Sequence, residues 1–135
     1  MASARDRRQI AAAVDGLERF TERAVIRLTL DVHAGLVRRT PVDTGWARAN
    51  WIPRVGRPQA APVGTPQDIG PATQATSAGR SGVLAYRLPR GSVFVSNAVD
   101  YIQALNDGHS QQESPGFVQR AIQSAVNNIN ITPGA

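Results

Sequence analysis

Cysteine is absent from this 135-residue sequence, which excludes disulfide bonds, thiol nucleophiles and thiolate metal ligands. Such a chain is suited to folding in a reducing cytoplasm. Aromatic residues make up only 5% of the chain, so the core must be built mainly from Ala, Val, Ile and Leu. No apolar run approaches the length of a membrane span, and the basic, Ala-rich start does not make a convincing targeting peptide.

Lysine is also absent, so arginine alone produces the net charge of +5. Residues 1–57 contain eleven arginines against six acidic residues, whereas residues 58–135 contain four of each. The positive excess therefore lies in the first part of the chain. This part could face DNA or an acidic partner, or it could be a solvated helix face. Arg5, Arg7 and Arg8 are the candidates for contacts with phosphates.

The first part of the chain has the periodicity of a long amphipathic helix over residues 6–38. The apolar positions recur at three- and four-residue steps: Ile10, Val14, Leu17, Ala24, Leu28, Val32 and Leu36. Such a helix would be about 50 Å long, which exceeds the diameter of a compact domain of this size. We therefore expect either a break near Gly16 or Gly35, or an end that projects towards a neighbouring molecule.

A turn is predicted where this helix stops, because proline disfavours helical geometry in the residue before it. The turn consists of Pro41, Asp43, Thr44 and Gly45, with Val42 between them, and Gly45 is free to take a positive φ. Residues 46–54 alternate well enough to predict a strand. We interpret the turn as structural, setting the angle between the helix and this strand.

The middle of the chain, residues 53–81, is rich in Pro, Gly, Ala, Thr, Ser and Gln. This composition forces no buried element, so we predict a flexible loop over residues 57–81. A weaker helical pattern runs over residues 71–86, with Pro71 acceptable at its first position.

Regular structure is predicted again from residue 92. Residues 92–97 form a strand and residues 98–106 a short helix, with Tyr101, Ile102 and Leu105 inward and Gly108 as its C-terminal cap. A polar loop over residues 109–114 leads to a last helix, and residues 130–135 are a frayed tail. The whole chain is predicted to be a single α+β domain, in which a long N-terminal helix packs on a small antiparallel sheet, with two shorter helices.

Catalytic motifs are few. Asp43, Thr44 and Gly45 spell the Asp-Thr-Gly of dimeric aspartic proteases, but a long helix precedes the motif and the bulky Trp46 follows it. His33 and His109 are far apart and lack the spacing of a metal site, so both are interpreted as ordinary polar residues. We therefore expect no enzymatic activity, no metal and no cofactor.

Two segments together resemble a known family. Residues 40–51, TPVDTGWARANW, are similar to a signature of the neck or tail-completion proteins that join head to tail in long-tailed bacteriophages. The second segment, residues 95–118, is similar to another stretch of that family through its asparagine, tyrosine, glycine-serine-glutamine and proline-glycine positions. Asp100, Asn106, Asp107, Glu113 and Ser114 depart from the family pattern.

The resemblance implies a structural virion protein at the head-tail junction, assembled in the host cytoplasm. It would form a homo-oligomeric ring, expected to be six-fold, between the head connector or stopper and the tail terminator or tail tube. DNA would pass through the lumen without sequence-specific contacts, and no membrane would be involved. The predicted subunit or partner interface comprises Trp46, Trp51, Asn97, Tyr101, Gly108, His109, Ser110, Gln111, Gln112 and Phe117.

Three alternatives remain open from the sequence. The chain could be the tail terminator that caps the tail tube, because small α+β ring proteins do both jobs. It could be a non-specific DNA-binding module, or a dimeric aspartic protease that uses Asp43.

Overall fold

One uninterrupted helix, α1, dominates the computed structural model, which describes residues 3–42, 45–108 and 115–129. Helix α1 spans Ala4–Arg39, so neither Gly16 nor Gly35 breaks it. Ser3 caps the helix, since its Oγ accepts from the Asp6 amide at 3.1 Å and the Asp6 carboxylate accepts from the Ser3 amide at 3.3 Å. At 36 residues the helix is about 54 Å long, and its first part projects.

A helical turn, α2, follows at Trp46–Ala49, which corrects the strand predicted over residues 46–54. Gly45 takes the predicted positive φ, +84°, and its carbonyl accepts from the Ala49 amide at 2.9 Å. This helical turn takes up the first residues that the alternation assigned to a strand. Strand β1 therefore begins only at Ile52 and ends at Val55.

The sheet has two antiparallel strands. Strand β2 spans Val93–Ser96 and pairs with β1 so that Ile52 lies opposite Ser96 and Val55 opposite Val93. Helix α1 packs on the sheet and on the last helix, α5, which spans Phe117–Asn128. The core between them is formed by Leu36, Trp51, Phe117 and Ala121. The α+β architecture predicted from the sequence is confirmed.

Helix α3 spans Gly70–Leu84 and confirms the weaker helical pattern predicted over residues 71–86. The latter part of the predicted loop is therefore helical. Ala72 and Val83 are fully buried, and Gly79 lies so close to β1 that an added Cβ would be 2.0 Å from the Pro53 carbonyl oxygen. The backbones of α3 and β1 therefore meet directly. A short 3-10 turn, Leu88–Arg90, leads from α3 towards β2.

Residues 57–69 form a loop with one isolated bridge, between Thr65 and Asp68. Hydrogen bonds attach this loop to the body of the domain. The Val63 amide donates to Asn50 Oδ1 at 2.8 Å, and the Gln59 amide donates to Ser96 Oγ at 3.2 Å.

Helix α4 spans Ile102–Asn106 and is shorter than the helix predicted over residues 98–106. Gly108 follows it with φ +101°, as expected of a residue that ends a helix. The predicted frayed tail, residues 130–135, lies outside the described residues. Among the described helices, none is long and apolar enough to cross a membrane.

Candidate interaction surfaces

The first of the two resembling segments forms a joint at the end of α1. Thr40 is fully buried, and its Oγ1 donates to the Leu36 carbonyl and accepts from Trp51 Nε1, both at 2.6 Å. Arg48 donates to the Thr40 carbonyl from Nη2 at 2.9 Å and from Nε at 3.3 Å. The arginine and the tryptophan of this segment therefore both bond to its threonine.

Asn50 extends this joint to the following loop. Its side chain is 1% exposed, and its Nδ2 donates to the Val63 carbonyl at 3.1 Å while its Oδ1 accepts from the Val63 amide. Trp46 Nε1 donates to the same carbonyl at 3.0 Å. Such paired side-chain bonds to one residue fix the position of the loop against α2.

The second segment packs directly on the first. Asn97 Nδ2 donates to the Ala47 carbonyl at 2.7 Å, and Asn97 Oδ1 accepts from the Val99 amide at 3.1 Å. The rings of Trp46 and Tyr101 lie 6.2 Å apart at an angle of 51°, within the range of a stabilising aromatic pair. The two segments that carry the family resemblance are thus adjacent in the fold, although they are far apart in sequence.

The structure separates the predicted interface residues into two groups. Trp51 is 6% exposed and Phe117 is 0% exposed, so both belong to the subunit's own core and are unable to reach a partner. This corrects the prediction for these two residues. Trp46, Asn97 and Gly108 are half-buried.

Tyr101 is 39% exposed and therefore lies at the surface, so the inward orientation predicted for it is wrong. The remaining predicted contacts in the polar loop lie outside the described residues, and so do two residues of the predicted turn: His109, Ser110, Gln111, Gln112, Asp43 and Thr44.

His33 has a structural role that its sequence context does not reveal. It is 3% exposed; its Nε2 donates to the Trp51 carbonyl at 2.8 Å, and its Nδ1 accepts from Arg80 Nη1 at 2.8 Å. Burial lowers the pKa of His33 below its usual value and the charge of Arg80 lowers it further, while the bond to the Trp51 carbonyl opposes both. A neutral imidazole therefore links α1 to α3 and to Trp51, the residue just before β1.

Glu22 makes a similar link further along α1. It is 8% exposed, and its carboxylate accepts from the Leu88 amide at 2.9 Å and from Arg87 Nη1 at 3.3 Å. This carboxylate ties the 3-10 turn to α1. No pattern in the sequence marks Glu22 or His33, because their partners are distant along the chain.

The described part of the chain contains no cluster of metal-ligating side chains. These residues contain no group of three His, Asp or Glu side chains that could hold a metal ion. Both ring nitrogens of His33 are already bonded within the fold, so neither is free to act as a ligand or a base.

The first part of α1, residues 4–19, is exposed at every position and is called the arm here. Ile10, Val14 and Leu17 follow each other at steps of four and three residues and so share one face of the arm. They are 60%, 50% and 62% exposed. This apolar stripe continues the face whose later residues pack inside the domain, but nothing in the described chain covers it.

Helix α5 has a second uncovered apolar surface. Its residues Phe117, Ala121 and Ala125 are buried, whereas Ile122 and Val126 are 44% and 46% exposed. Only one side of the broad apolar face of this helix is therefore buried within the domain.

Comparison of the chain with models of known families, with curated proteins and with solved structures found no match.

Proposed function

We propose that this protein is a non-enzymatic structural subunit that assembles with copies of itself into a ring at the head-tail junction of a long-tailed bacteriophage. The family resemblance suggests this function. The joint between the two resembling segments supports it, because Asn97 bonds to Ala47 and Tyr101 packs near Trp46. The residues shared with the family therefore form one structural unit.

The observation that carries the proposal is the exposed apolar stripe of the arm. Monomeric proteins rarely expose contiguous apolar surface unless it serves an interaction. The arm is continuous with the packed part of α1, so it is held away from its own domain and another molecule has to cover Ile10, Val14 and Leu17. The exposed side of α5, with Ile122 and Val126, is a receiving surface on the next copy.

A donor surface and a different receiving surface make a head-to-tail contact. Repetition of such a contact closes into a ring when the rotation between copies divides a full turn, and otherwise produces a filament. A ring subunit of a head-tail junction needs this arrangement, since DNA has to pass through the centre. The tail terminator at the end of the tail tube remains the alternative position for such a ring.

The experiment is light scattering after size exclusion, combined with negative-stain imaging of the full chain. The wild-type protein should form a uniform oligomer with a central hole. The double variant Val14→Ser, Leu17→Ser should fold normally and lose the oligomer, because both side chains are at least half exposed in the subunit.

Leu84→Ser provides the matched control. Leu84 is 63% exposed, close to the value for Leu17, but it lies on α3 and outside the arm. Its variant should keep the ring. A wild-type protein that stays monomeric at high concentration would refute the proposal, and equal damage from Leu84→Ser would refute the role of the arm. Binding of the ring to purified connectors or to tail tubes distinguishes the two positions at the junction.

A further inference from the structure

A row of arginines runs along one face of α1. Seven positions, each three or four residues after the one before, make up this row. Five are arginine and the two in the middle are small: Arg5, Arg8, Ala12, Gly16, Arg19, Arg23 and Arg27. Residues at this spacing share one helix face. All five arginines, with Ala12 and Gly16, are exposed.

Two of the five arginines of the row pair with acidic residues of α1, Arg19 with Asp15 and Arg27 with Asp31 at 3.9 Å. Glu22 is buried against the 3-10 turn and does not reach the row. Within the described chain, Arg5, Arg8 and Arg23 have no ion-pair partner. The row therefore presents a positive potential, although the same helix contains several carboxylates.

The shape of the row suits a long, regular polyanion. From Arg5 to Arg27 the helix rises by about 33 Å, close to one turn of B-form DNA at roughly 34 Å. Ala12 and Gly16 form its centre, and a Cβ added at Gly16 would meet nothing within 4 Å. At this centre no large side chain would keep a sugar-phosphate backbone at a distance.

The basic surface continues onto the body of the domain. A groove of about 480 Å³ between α1 and α5 is lined by Arg27, Arg38 and Arg39, with Asp31 also in its wall. Arg27 belongs to both the row and the groove. The positive face therefore extends beyond the arm.

The composition of the row distinguishes between kinds of polyanion. It contains no aromatic side chain, whereas proteins that hold single strands stack bases on aromatic rings. It also contains no asparagine or glutamine, the side chains that read adenine in the major groove. An anionic membrane fits less well, because Asp6 and Glu18 lie near the apolar stripe, where lipid headgroups would be.

We propose that this arginine row binds the sugar-phosphate backbone of duplex DNA without sequence preference. The inference deepens the proposed function and rests on it, since it assigns the surface that faces DNA in the ring. It also refines the candidates Arg5, Arg7 and Arg8. Arg5 and Arg8 belong to the row, whereas Arg7 lies about 100° around the helix from Arg8, beside the apolar stripe.

Fluorescence anisotropy with a labelled 30-base-pair duplex of arbitrary sequence tests the inference, using the full chain over a range of salt concentrations. Each phosphate contact contributes a slope of about −0.9 to the plot of log affinity against log salt concentration. The double variant Arg8→Gln, Arg23→Gln should therefore make the slope less negative by about 1.8 and weaken binding at least about ten-fold at 0.1 M salt. A single strand of equal length should bind less tightly than the duplex.

The control variant Arg7→Gln, Arg57→Gln removes the same charge from exposed positions outside the row. It should change the affinity less than about two-fold. Equal weakening by both variants would overturn the proposal, as would tighter binding to the single strand or to anionic vesicles in a parallel measurement.

Imaging of the row variant separates this inference from the proposed function. Intact rings with weakened duplex binding support both. Row-dependent DNA binding by a protein that forms no ring would refute the ring and leave the DNA surface standing. Rings whose duplex binding does not depend on Arg8 and Arg23 would refute the DNA surface alone.

Discussion

The two halves of α1 have the same backbone and opposite surroundings. Residues 22–39 include Glu22, His33 and Leu36, which are buried against α5, the sheet, α3 and the 3-10 turn. Residues 4–19 have exposed side chains throughout, although they carry apolar positions at the same spacing. Periodicity alone therefore indicates that a helix has an apolar face, and does not indicate whether that face is covered within its own chain.

The strongest test of this difference compares truncations of large apolar side chains in the two settings. Phe117→Ala should lower the free energy of unfolding by about 3–5 kcal/mol, because Phe117 is fully buried between α5 and α1. Leu17→Ala should change it by less than about 0.5 kcal/mol in the dissociated subunit, because Leu17 is exposed. Urea denaturation of dilute protein measures both. Similar losses from the two variants would mean that the arm packs on its own domain.

Two glycines provide a second test, because replacement by alanine should have opposite effects on stability at the two positions. Gly79→Ala should destabilise the domain by about 1–3 kcal/mol, because its Cβ would collide with the Pro53 carbonyl. Gly16→Ala should stabilise the arm by about 0.5–1 kcal/mol, since that Cβ meets nothing and alanine favours helix. Thermal denaturation reports the first effect, and hydrogen exchange of the arm reports the second. A stable Gly79→Ala protein would contradict the close approach of α3 to β1.

The smallest expected effect is a dependence of the free energy of unfolding on pH. It arises from His33, in the packed half of α1. Burial lowers the pKa of His33 in the folded state, so the unfolded chain binds a proton at higher pH than the folded protein does. The free energy of unfolding should therefore fall as pH drops below about 6.5, by up to about 1.4 kcal/mol per pH unit, until the folded pKa is reached. Denaturation between pH 7.5 and 5 measures this dependence.

His33→Gln should remove this component of the pH dependence, and His109→Gln should leave it in place. An unchanged profile in His33→Gln would show that another group titrates on unfolding.

Local signals in the sequence predicted the long helix, the turn at Gly45, the helix over residues 71–86 and the cap at Gly108. Each depends on neighbours within a few residues, through apolar spacing, proline and glycine. The strand predicted over residues 46–54 was wrong for Trp46–Ala49, which form a helical turn after Gly45, and right from Ile52 onwards. Alternation alone does not show where such a strand begins.

The candidate surfaces were only partly predictable. Trp51 and Phe117 were expected to contact partners, but large aromatic residues are suited to a core as well as to an interface, and only the fold distinguishes these uses. The bond between His33 and Arg80 joins residues 47 positions apart, so no local motif could predict it. The four-residue spacing of Arg19, Arg23 and Arg27 in the sequence, in contrast, already places these three on one helix face. That Arg5 and Arg8 share this face follows only from the unbroken α1.

The continuity of α1 also restricts how the arm can change in length. An unbroken helix fixes the rotational phase of every side chain, so one inserted residue would turn all preceding positions by about 100° relative to the domain. An insertion between Ile10 and Val14 would move Ile10 out of line with Val14 and Leu17, and Arg8 out of line with Arg19. Insertions or deletions of seven residues, which add or remove about 10 Å, keep both faces nearly in phase. The arm can thus lengthen or shorten in steps of two helical turns and preserve the direction of each face.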